Sequence, residues 1–77
     1  MIDEELKHRL DRAISASKDL DFMFKILREY KLSGGTQLDA VDTLEYMRQG
    51  ASEDYEERLL EIMDFASGFC APQKKVW

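Results

Sequence analysis

Ser15-Ala16-Ser17-Lys18-Asp19 interrupts what is otherwise the longest apolar rhythm in the chain. On either side of it, Leu6, Leu10, Ala13, Leu20, Phe24 and Leu27 recur at steps of three and four, with Ser17 filling the place between Ala13 and Leu20. That spacing keeps one stripe on a helix. Read as continuous, it predicts a helix from about residue 3 to 31, opened by Asp3 as N-cap with Glu4 and Glu5 in the first turn. Such a helix would be roughly 43 Å long at 1.5 Å per residue. Serines compete for backbone hydrogen bonds, and Ser17 followed by Lys18-Asp19 could cap a new helix, so the alternative is a break near Ala16.

Outward from this segment the punctuation is clearer. Leu32-Ser33-Gly34-Gly35 ends the helical pattern, and Thr36 with Asp39 three residues on resembles a capping box. A helix is expected from Gln37 to about Gln49, facing inward with Leu38, Ala40, Val41, Leu44 and Met47. Gly50 stops it, Ser52 caps the next, and Glu53 to about Ser67 follows with Tyr55, Leu59, Ile62, Met63 and Ala66 inward. Gly68 ends that helix, Phe69 is placed to fold back on its last turn, and an irregular tail runs from about residue 70 to Trp77. The expected fold is all-α: one domain over 1–77, an antiparallel three-helix arrangement with a long first helix, or a four-helix bundle if that helix breaks near Ala16.

Seventy-seven residues, 44% of them apolar and 35% charged, suffice for one small core and exclude a large catalytic scaffold. The acidic start lacks the basic and apolar stretches of a signal peptide, and no run approaches 18 apolar residues, so a soluble cytoplasmic protein is expected. One Cys and one His cannot supply a disulfide or a four-ligand zinc site within the chain. Glu5 and His8 share the Glu-x-x-His spacing of di-iron bundles, but no second pair exists. Cys70 has no neighbouring base to make it a nucleophile, and Gly34-Gly35 is too short to cradle phosphate. No catalysis, cofactor or metal is expected.

Charge is the informative feature. Residues 1–33 hold seven acids and seven bases, whereas 36–66 hold nine acids against Arg48 and Arg58, a net of −7. Such a field repels phosphate backbones and anionic lipid and favours a basic protein partner. Glu53, Glu57 and Glu61 form a carboxylate row on one helix, Asp39 and Asp42 a second row on its neighbour, and Tyr46 lies among the acids as a candidate anchor. These six residues are the candidate partner-binding set.

In size, helical pattern, acid-rich 39–64 region with Tyr46 and Tyr55, and lack of catalytic residues, the chain resembles the small acidic helical immunity proteins of bacterial toxin systems, of colicin and contact-dependent-inhibition type. The resemblance implies an inhibitor that binds a cognate toxin domain, plugging or flanking its cleft. The other reading is a small adaptor or assembly subunit that forms a homodimer through its first helix, because a 43 Å stripe exceeds what two helices of about 20 Å cover.

Overall fold

The computed structural model describes residues 1–68 and 76–77. Among these residues are four helices: α1 (Glu4–Ser15), α2 (Leu20–Leu32), α3 (Gln37–Arg48) and α4 (Glu53–Ser67). The all-α class stands, and the long first helix is corrected to two helices of 12 and 13 residues. The chain's largest dimension is 28 Å, shorter than the continuous helix would have been. Expectations for Phe69, Cys70 and the start of the tail lie outside the described residues.

The break is a complete Schellman motif. Ala16 is the C-cap of α1, Ser17 takes φ +56°, its N–H donates to Ile14 O, and Lys18 N–H donates back to Ala13 O, both at 3.0 Å. Gly34 closes α2 the same way at φ +100°, with Gly34 N–H on Lys31 O and Gly35 N–H on Tyr30 O. Asp19, not Ser17, is the N-cap of α2 and accepts from Phe22 N–H at 2.9 Å. Asp3, Thr36 and Ser52 cap the other three helices as their spacing predicts.

Consecutive helices pair into two hairpins, α1–α2 and α3–α4, and the hairpins meet through α1 on α3 and α2 on α4. Leu6, Leu10 and Ala13 enter the core from α1, Met23, Ile26 and Leu27 from α2, Ala40, Thr43 and Leu44 from α3, and Leu59, Ile62, Phe65 and Ala66 from α4. The break resets the helical phase, so Leu20 and Phe24 of the expected stripe sit at the core's edge and Ile26 takes their place. Phe24 still meets Phe65 edge-on, their centroids 5.7 Å apart. Val76 returns to this core, its N–H on Phe65 O and its carbonyl accepting from Lys31 Nζ at 2.8 Å.

On α3 the expected inward row was too wide. Leu38, Val41, Leu44 and Met47 are three residues apart, and each such step drifts by about 60° around the helix. The four therefore span half the circumference: Leu44 is buried, Val41 and Met47 are partly covered, and Leu38 is 68% exposed. Thr43 takes the vacated inward place with both hydrogen-bonding functions used, accepting from Asp3 N–H at 3.0 Å and donating to Asp39 O at 2.7 Å.

Two stability changes follow. A serine in the left-handed region carries a steric cost that glycine escapes, partly offset by glycine's greater unfolded-state entropy, so Ser17→Gly should raise stability by roughly 0.5 to 1 kcal/mol in urea unfolding. Ser17→Val should lower it, and a stabilising valine would mean the chain does not turn there. Leu59 is fully buried, and Leu59→Ala should cost about 2 to 5 kcal/mol; a loss under half a kcal/mol would place it at the surface.

Candidate functional site

The structure sorts the six candidate residues onto two faces. Asp39, Asp42 and Tyr46 lie on the side of α3 that meets the start of α1. The Met1 ammonium donates to Asp39 Oδ1 at 2.8 Å and Asp42 Oδ2 at 2.7 Å. Those hydrogen bonds hold the Asp39 carboxyl below the usual carboxylate range and raise the amine above its ordinary value. The pairs are exposed and add little to stability. Tyr46 is 45% exposed, with Lys7 Nζ over its ring 5.3 Å from the centroid. Lys7 also pairs with Glu4 at 2.9 Å, so the cation that covers the tyrosine is itself held in place, its pKa raised and that of Glu4 lowered.

Glu53, Glu57 and Glu61 project from the outer side of α4, opposite the buried Leu59, Ile62 and Ala66, and all three are exposed. Glu61 reaches Arg58 at 3.5 Å; among the described residues no cation pairs with Glu53 or Glu57. The other guanidinium of this acidic half, Arg48, lies in the α3–α4 seam between Glu45 at 3.6 Å and Glu56 at 4.0 Å. It is therefore turned away from the outer row.

The two faces converge at the α3–α4 turn. There a groove of about 530 Å³ opens between α1 and the turn, lined by Tyr46 and Tyr55 with Lys7, His8, Asp11 and Gln49. Tyr55 donates its phenol proton to Asp11 across 44 residues of sequence. Burial, and after it that hydrogen bond, push the Tyr55 phenol well above the usual tyrosine value. The sequence singles out both tyrosines but gives no sign that His8 and Asp11 join them, because that contact arises only from the packing of α1 against α3 and the turn after it. Among the described residues, no three His, Cys, Asp or Glu side chains are placed to hold a metal ion, and no helix is long and apolar enough to cross a membrane.

No protein-family model matches the chain, and no curated protein or solved structure matches it.

A raised tyrosine pKa means that the fold favours the neutral phenol. Its stabilisation is present below the ordinary pKa near 10 and is lost as pH climbs through that value towards the folded one. Ultraviolet titration should show Tyr55 resisting ionisation until the chain unfolds in alkali. Asp11→Ala should bring its titration down while leaving the far-ultraviolet spectrum unchanged; a Tyr55 that titrates near 10 in the folded chain would remove the Asp11 contact from the structure.

Proposed function

We propose that the chain is a non-catalytic inhibitor of the immunity-protein type, acting in the cytoplasm, that neutralises a basic toxin domain through the acidic α3–α4 hairpin. One observation carries the reading: Glu53, Glu57 and Glu61 stand in a row on the exposed side of α4 while Arg48 is turned into the α3–α4 seam. Carboxylates at i, i+4 repel one another, and a surface selected for folding alone would intersperse lysine. A partner whose cleft binds nucleic acid is basic, and an ordered carboxylate row matches it as phosphates would. The groove beside Tyr46 and Tyr55 adjoins the start of that row at the turn, so a partner seated over the turn would meet carboxylates and an aromatic anchor together.

The chemistry of the contact separates into two kinetic effects. Exposed charge acts on encounter, over about 10 Å at 0.1 M salt, whereas a covered tyrosine acts on release and contributes about 2 kcal/mol or more. Coexpression with the product of the adjacent reading frame, scored by host survival, tests the reading. With that product as partner, reversal of Glu57 and Glu61 to Lys should slow association and flatten its dependence on salt, and Tyr46→Ala should mainly hasten dissociation. If neither changes binding by more than twofold, the acidic hairpin is a solvated surface.

A further inference from the structure

The half of the molecule with no net charge carries its own surface feature. Where α1 ends and α2 begins, a groove of about 300 Å³ has an apolar floor of Ala13, Ala16 and Ile26 and a rim of Arg9, Arg12 and Lys18. Phe22 forms one wall and is 43% exposed, with Lys18 Nζ 5.5 Å from its ring centroid. Arg9 is shared with Glu29, but among the described residues no carboxylate pairs with Arg12 or Lys18. The groove is large enough for one bulky apolar side chain, and its rim calls for carboxylates on either side of that side chain.

The same chain presents that pattern. Leu60 is 39% exposed on the outer side of α4, with Glu56 and Glu57 one turn before it and Asp64 one turn after. We propose that the α1–α2 groove receives the α4 face of a second copy, Leu60 entering between Phe22 and Ile26 and the flanking carboxylates meeting Arg12 and Lys18.

The complement is heterologous. The groove lies between α1 and α2 and Leu60 on the outer side of α4, so the receiving patch and the inserted patch are different surfaces of the chain. Copies joined head to tail satisfy both patches, each groove taking the α4 face of the next copy. One anchor and a few ion pairs make a small interface, so assembly is weak and falls as salt screens the charges. The net charge of −5 opposes it at long range, whereas the complementary contact acts within the screening length of about 8 Å at physiological ionic strength. The contact uses the α4 row of the proposed function, so a basic partner and a second copy compete for it; the complementarity itself does not rest on that reading.

Sedimentation equilibrium of the full chain tests this without any partner. At near-millimolar protein and low salt the weight-average mass should rise above 9.0 kDa and return to it in 0.5 M salt. The pair Arg12→Glu and Lys18→Glu, which disables the groove, and the pair Glu57→Lys and Asp64→Lys, which disables the face, should each stay monomeric. Mixed one to one, they should form a species of twice the monomer mass and nothing larger, because each retains one working patch. Recovery in the mixture also shows that both variants are folded. A wild-type mass that stays at 9.0 kDa, or a mixture that does not associate, overturns the proposal. So does a synthetic peptide with a leucine flanked by glutamates that binds the groove while the chain remains monomeric, since it assigns the groove to a foreign acidic segment.

Discussion

Ser17, held at φ +56° by two backbone hydrogen bonds, is the constraint on which the rest of the structure depends. The left-handed residue sends Lys18 back along α1, so the second half of the apolar stripe returns against the first instead of extending beyond it. From this reversal come the α1–α2 hairpin, a fold that fits within 28 Å, and the approach of α1 to both α3 and the turn before α4. The motif closing α2 has the same two hydrogen bonds with glycine at the strained position. The core explains why serine suffices at the first: Ala13, Ile26 and Leu27 are buried on either side of the turn, and burial of that order outweighs a steric cost of about 1 to 3 kcal/mol.

That comparison also defines what was legible in the sequence. Asp3, Thr36 and Ser52 announce helix starts because their side chains satisfy the first free N–H groups, and Gly34, Gly50 and Gly68 announce ends because the left-handed region favours glycine. Ser17 ends a helix without the residue that normally marks it, and Asp19 caps the next helix only two positions later, leaving a linker too short to interrupt the apolar periodicity. The inward face of α3 was obscured for a different reason. Its core place is filled by Thr43, whose hydroxyl is neutralised by Asp3 N–H and Asp39 O, and a sequence does not reveal that a hydroxyl has found both partners. The acids were legible as residues but not in their distribution, since Asp39 and Asp42 turn towards the Met1 ammonium and Glu53, Glu57 and Glu61 turn outward.

The end of the chain is fixed by chemistry of the same local kind. Trp77 meets the Tyr30 ring edge-on at 6.3 Å, and that ring also lies so close to Gly35 that a Cβ there would overlap it. Gly35 is therefore required by the approach of a side chain, whereas Gly34 beside it is required by its own backbone angle. The two adjacent glycines do separate work: one reverses the chain after α2, the other leaves room for the tyrosine on which the terminal residues dock. Burial of the Tyr30 phenol raises its pKa, in keeping with a ring packed between turn and terminus.

Charge follows this topology. Each hairpin buries its apolar residues against the other, so each must carry its polar residues outward, and α3–α4 holds all of the excess acid. The two cations of that hairpin are taken by local carboxylates, Arg48 in the seam and Arg58 at Glu61, and among the described residues no cation pairs with Glu53 or Glu57. On the opposite hairpin Arg12 and Lys18 stand around an apolar groove, and among the described residues no carboxylate pairs with either. A bundle needs neither arrangement, because redistribution of the same charges would relieve repulsion within each face at no cost to the core. With no cation on Glu53 or Glu57 and no carboxylate on Arg12 or Lys18 among the described residues, each hairpin presents its own sign of charge at the surface.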